Sequence, residues 1–262
     1  MEFVYSNELL IALAFVATLA GFIDAVAGGG GLITLPALLL VQMSPVQALA
    51  TNKLQGSFGT LSASITMIKK GVLDIKTVKI SIITCIIGSA LGTLAVQLSP
   101  PEALTVIIPV VILIICLYFL FAPKAGELES KPRVSTKMWR YCCVPSMGFY
   151  DGYLGPGAGM FYALGGVALR GKALVSATAT AKILNFASNI ASLIIFILGG
   201  KVVWVIGLSM AAGQILGGYV GASFVVKKGT KFIRPIIVYR LYFNVGKVSC
   251  EHTRLDLGTK PP

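Results

Sequence analysis

Gly21-Phe22-Ile23-Asp24, followed by Gly28-Gly29-Gly30-Gly31, is written a second time in this chain as Gly148-Phe149-Tyr150-Asp151 followed by Gly155-Pro156-Gly157-Ala158-Gly159. Each copy leads through an apolar stretch to a second tetrapeptide, Ala50-Thr51-Asn52-Lys53 or Ala179-Thr180-Ala181-Lys182. The spacing persists: 182 − 53 = 129, and Gly71/Gly200, Gly88/Gly217 and Gly92/Gly221 stand at the same offset. Each half therefore carries an acid, a glycine-broken segment and a lysine. In a membrane chain such a duplication points to movement of a solute, with the site between the repeats.

The surroundings are those of a membrane chain. Of 262 residues, 56% are hydrophobic and 12% charged, with a mean hydropathy of +0.85; a soluble domain carries about twice that charged fraction. Apolar runs near the ~20 residues a bilayer requires cover 9–41, 46–68, 78–98, 103–122, 141–169, 173–198 and 202–226, with a weak last one from Phe232. The expected fold is an all-α polytopic membrane protein of two homologous halves, about four hydrophobic segments each and seven or eight in all. The halves are 1–122 and 141–238, joined by a polar linker at 123–140. Residues 239–262 form an atypical polar tail, because Arg240, Asn244, Lys247, Glu251, His252 and Arg254 interrupt the last run. A charge at the bilayer centre costs at least ~2.5–3.5 kcal/mol, so the tail reads as truncated or altered. No cleavable leader is evident at the start, which lacks a basic region.

The net charge of +12 does not indicate a nucleic-acid partner. The cations gather in loops: Lys69, Lys70, Lys76 and Lys79; the linker; and Lys227, Lys228, Lys231 and Arg234. Charge of this kind orients helices. If each glycine-broken segment makes a full crossing, the first and third groups fall on opposite sides. If each is a re-entrant hairpin, the repeats are inverted and all three groups, with Arg170 and Lys172, face the cytoplasm. The charge bias favours the second count.

Four consecutive glycines exceed what close helix packing needs and oppose continuous helix. Unwound backbone at membrane depth is tolerated where protein or a polar cavity satisfies it. Gly28, Gly29, Gly30 and Gly31, with Gly155, Gly157 and Gly159, are accordingly expected to line a binding site. Lys53 and Lys182 lie inside apolar runs. One alone would be read as snorkelling to the interface; two at matched positions point to an anion. Asn52 and Asn185 join them as candidate substrate ligands, and Ser57, Ser176, Thr178, Ser188 and Asn189 could add neutral hydrogen bonds. Asp24 and Asp151 are either proton carriers or static partners of the lysines; both readings stand. The five cysteines and His252 have no metal-ligand spacing, and neither a metal nor a cofactor is expected.

At these motifs the chain resembles the TauE/SafE family of sulfite and organosulfonate exporters, over about Leu9 to Val238. Ala181 stands where the first half has Asn52. The resemblance implies a permease of two related halves, with sulfite, sulfoacetate and other small anions as cargo. The expectation is therefore a secondary transporter that exports small anions with proton coupling, an integral multi-pass protein of a bacterial plasma membrane. Its partners would be the lipid bilayer and a small anionic substrate, and a homo-oligomer stays open. The lack of a Walker motif argues against ATP drive within the chain; an ion channel is the alternative, and a membrane-embedded enzyme ranks last because no metal-spaced His/Cys/Asp cluster and no nucleophile–base pair is visible.

Overall fold

The computed structural model describes residues 6–121 and 129–228, without the side chains of 118–121. Among the described residues there are helices and no strand. They are α1 (Asn7–Ala27), α2 (Gly31–Leu40), α3 (Pro45–Lys69), α4 (Ile75–Gln97) and α5 (Pro101–Phe121) in the first half. The second half opens on a single turn, α6 (Thr136–Met138), which passes through a π-helical turn at Trp139–Cys143 into α7 (Val144–Tyr153). Then follow α8 (Ala158–Ala168), α9 (Leu174–Leu198) and α10 (Trp204–Lys228). Both glycine-rich segments are broken helices, as the sequence predicts: α1 and α2 part at Gly28–Gly30, α7 and α8 at Leu154–Gly157. The anticipated span from Phe232, the tail 239–262 with His252, and residues 122–128, which open the linker, lie outside the described residues.

Helix directions make the repeats inverted. Ser62 Oγ donates to Ile215 O at 2.9 Å, and Val203 N–H donates to Thr51 Oγ1 at 3.1 Å, so α3 and α10 run side by side in one direction. Gly213 and Gly217 of α10 meet Ala14 and Thr18 of α1 in the same order. Gly88 and Gly92 of α4 likewise meet Pro145 and Phe149 of α7. Cys85 and Ser89 of α4 bond the carbonyls of Leu184 and Ser188 in α9. Since α3 and α4 are joined by a short turn and run oppositely, α1 and α7 also point in opposite directions.

Each broken segment returns to the face it entered. The linker residues Ser130 and Arg133 donate N–H groups to Gly171 O and Leu169 O at 2.8 and 2.9 Å, tying the entry of α6–α7 to the exit of α8. In the first half Leu35 and Leu38 of α2 are buried in one cluster with Leu13 and Ala17 of α1. One face thus holds Lys69, Lys70, Lys76, Lys79, Lys131, Arg133, Lys137, Arg140, Arg170, Lys172, Lys227 and Lys228, while Lys201, Glu8 and Glu102 lie on the other. On the basic face partial burial, then the nearby Arg170, holds the Lys172 ammonium below its ordinary value.

The helices α1, α4, α9 and α10 are long and apolar enough to cross a membrane. α3 matches α9 in length but is more polar, because Lys53, Gln55 and Thr60 point inward at 1–2% exposure. The outer surface is the apolar one: Ile83, Ile87 and Leu91 of α4 and Leu208, Leu216 and Val220 of α10 are exposed. Lipid removes the hydrophobic drive to associate, so helices must meet through close packing. Glycines provide it. A Cβ at Gly88 would lie 2.1 Å from Pro145 O, and one at Gly217 2.1 Å from Thr18 O. These two glycines sit at the repeat offset and fasten α4 to α7 and α10 to α1. Each glycine seam therefore joins one helix from each half.

Candidate functional site

The tips of the two hairpins meet at the centre. Gly28 (φ 88°) and Gly155 (φ 88°) hold equivalent left-handed positions at the ends of α1 and just beyond α7, a conformation that a side chain disfavours. A Cβ on Gly28 would fall 2.4 Å from Gly159 C, so the breaks touch backbone to backbone. Two of the freed N–H groups are satisfied by Asp24. Gly28 N–H donates to Asp24 O at 2.7 Å, and Gly30 N–H to Asp24 Oδ1 at 3.2 Å.

Around this contact the acids and lysines pair across the repeats, not within them. Lys53 Nζ donates to Asp151 Oδ1 at 2.5 Å and to Asn189 Oδ1 at 3.0 Å. Lys182 Nζ donates to Asp24 Oδ2 at 3.0 Å and also to the Asp24 main-chain carbonyl. Ser188 Oγ donates to Asp151 Oδ2. Lys53, Asp151 and Lys182 are at most 2% exposed, and Asp24 is 13% exposed. Bare charges at such depth would be very costly, and pairing is what permits them.

Between the tips, α3 and α9 lies a cavity of about 30 Å³, room for about two waters where one needs ~10–15 Å³. Asp24, Gly28, Gly30, Gly31, Asn52, Lys53, Asp151, Gly155, Gly157, Gly159 and Asn185 line it, so most of the residues singled out in the sequence converge. Gly29 and Lys182 do not reach its wall. Gly29 faces the Met160 side chain, and Lys182 is turned into its bonds with Asp24. Of the neutral candidates, Asn189 lines the cavity and Ser188 anchors Asp151. Ser57 bonds its own helix at Lys53 O, and Ser176 and Thr178 stand more than a turn before Lys182 in α9.

The sequence reading missed Thr34, Gln55, Gly56, Thr60 and Gln214, all of which line the cavity. Helical spacing from Asn52 to Gln55 and from Gly56 to Thr60 places them on one face, a usable signal. Gln214 is a lone amide in an apolar helix, whose cost in lipid could have flagged it.

The glycines around the cavity also serve as sockets for polar heads. A Cβ on Gly155 would lie 3.3 Å from Lys53 Nζ, one on Gly159 3.0 Å from Asn185 Nδ2, and one on Gly59 2.3 Å from Gln214 Oε1.

A family model described as "Sulfite exporter TauE/SafE" matches residues 13–244. The chain belongs to the TauE/SafE family. It is 48% identical over 236 residues to the "Probable membrane transporter protein YfcA" of Escherichia coli (strain K12), covering 90% of this chain and 88% of that relative. It is 44% identical over 241 residues to a "Probable membrane transporter protein" of Haemophilus influenzae, covering 92% and 94%. A more distant relative, the "Probable membrane transporter protein YunE" of Bacillus subtilis, is 23% identical over 252 residues. No solved structure matches the chain. Membership of TauE/SafE places it among membrane transporters and not among enzymes.

Proposed function

We propose that the chain is a secondary transporter that exports a small oxyanion, sulfite, an organosulfonate or a related carboxylate, with proton coupling, across a bacterial plasma membrane. The observation that carries this reading is the polar cavity where two oppositely inserted hairpins meet, with Lys53 in its wall and Lys182 behind it, each already paired to a carboxylate across the repeats. The family description and its bacterial relatives support the cargo class and the membrane.

The geometry supplies a coupling logic. Each ammonium is neutralised by a carboxylate, so an arriving anion competes with Asp151 for Lys53. A proton on the carboxylate releases the lysine, and anion binding and proton uptake then favour one another. Main-chain N–H groups at the starts of α2 and α8 add donors for the anion. With room for about two waters, the cavity is closed to cargo in this state, and loading requires the hairpin tips to part. That suits alternating access between inverted repeats better than a continuous channel.

The test is uptake by proteoliposomes offered sulfite, sulfoacetate, isethionate, sulfate or acetate, with and without an imposed pH difference. Saturable flux of at least one sulfonate or sulfite, faster when the substrate side is acidic, is expected. Flux that does not saturate would favour a channel. Flux indifferent to pH, and unchanged in Asp24→Asn and Asp151→Asn, would make the acids structural.

A further inference from the structure

The cavity is chemically lopsided. On α3, Asn52 Oδ1 accepts from Thr34 Oγ1 at 2.6 Å and from Gln55 Nε2 at 2.7 Å. That oxygen takes both bonds, and Nδ2 stands beside Gly31 at the cavity wall. The other end of Gln55 is different. This residue is 1% exposed and lines the cavity, and its Oε1 has no hydrogen-bond partner among the described residues. Gln214, 3% exposed, enters the same cavity from α10. Its Oε1 fits because Gly21 and Gly59 carry no Cβ: one there would lie 2.8 or 2.3 Å from that oxygen.

The pseudo-symmetric side lacks all of this. Asn52, Gln55 and Gln214 correspond at the repeat offset to Ala181, Leu184 and Cys85, and within the hairpins Thr34 corresponds to Phe161. Ala181, Leu184 and Cys85 belong to a buried apolar cluster with Tyr162. The two sides thus offer different polar groups, Asn52, Gln55 and Thr60 on α3 against Asn185 and Asn189 on α9, although the lysines and acids are duplicated. A buried acceptor without a donor destabilises the fold, and a native fold that keeps one invites a ligand to satisfy it.

A simple oxyanion cannot do so. Sulfonate and carboxylate oxygens only accept, so they match Lys53, Asn52 Nδ2 and backbone N–H groups but meet Gln55 Oε1 oxygen against oxygen. We propose that Gln55, with Gln214 in the same cavity, is the specificity-determining element of the cavity and selects oxyanions that also carry an O–H or N–H donor over anions of equal charge that do not. This rests on the anion-site reading above. The substrate class it names is the hydroxylated or amino-bearing sulfonate or carboxylate.

Isethionate and ethanesulfonate test it, because they share a sulfonate and a two-carbon chain and differ by one hydroxyl. Competition binding to the purified full-length protein should favour isethionate about tenfold or more, the scale of one hydrogen bond gained. Gln55→Leu, which installs the residue of the opposite repeat, should bring the two affinities within about twofold, mainly by weakening isethionate. Its melting temperature should not fall, since an unsatisfied buried group is removed; a merely structural glutamine would lower it. Equal binding of both probes by the wild-type protein, or equal loss of both in Gln55→Leu, overturns the inference and leaves the anion site standing. A wild-type protein that binds neither probe, nor glycolate nor acetate, overturns both.

Discussion

Lys53–Asp151 and Lys182–Asp24 are the same pair written twice, and the chain treats them differently. In the first, both partners are at most 2% exposed, both line the cavity, and Ser188 and Asn189 complete the bonding. In the second, Asp24 is 13% exposed and also binds the Gly30 N–H, while Lys182 is set back behind it. Duplication of sequence has therefore not duplicated the role. One pair lines the cavity through both members, whereas the other reaches it through the acid alone and secures the tip of α1 with the lysine.

The largest effect should come from Asp151→Ala, which leaves the Lys53 charge buried and unpaired at a cost of ~3–5 kcal/mol. A thermal unfolding scan in detergent should show a much larger fall than for Asp24→Ala, where partial exposure admits water. The double variant Lys53→Met/Asp151→Leu should recover most of the lost stability and none of the transport. Equal losses at the two acids would erase the distinction drawn between the pairs.

A smaller contrast is expected between the lysines. Lys53→Met should weaken anion affinity at least tenfold, the scale of one charge-assisted hydrogen bond, and Lys53→Arg should rescue it poorly because the guanidinium is planar and larger. Lys182→Met should weaken affinity less and slow turnover more. Binding and initial-rate measurements on the same preparations separate these, and a stronger affinity loss at Lys182 would reverse the assignment. Least perturbing of all is topology mapping with single cysteines. Replacements at Lys70 and Lys228 should resist an impermeant thiol reagent added outside the cell, and one at Lys201 should react. Labelling at Lys70 or Lys228 would turn the basic face outward.

Much of this architecture was legible because the chain carries its own comparison. Matching Asp24 with Asp151 and Lys53 with Lys182 located the centre, and loop lysines chose inverted over parallel repeats, as the helix directions bear out. Which acid meets which lysine was not legible. Within either half, sequence distance suggests a local pair, and only the interlocking of the hairpins brings Lys53 to Asp151 and Lys182 to Asp24. The amides were harder still. Thr34, Gln55 and Gln214 become neighbours through three separate helices, and nothing in their local sequence states that Gly59 and Gly21 leave room for Gln214. The approach was similarly hidden for Gly29, a member of the conspicuous tetrad that faces Met160 instead of the cavity.

The glycine seams carry one more consequence. Since α1 is fastened to α10 and α4 to α7, every surface that shapes the cavity lies between repeats, and neither half contains a site. Lys53 has its carboxylate on the opposite hairpin, as has Lys182. A single repeat released into a membrane would be chemically incomplete however well its helices inserted. It would be completed only by meeting a second copy lying the other way up, so that a chain of half this length would work solely as a mixed population of two orientations. Joining the copies end to end, with a linker that returns on the basic face, removes that dependence on chance insertion. It also frees the two sides to diverge, which the contrast between Gln55 and Leu184 records.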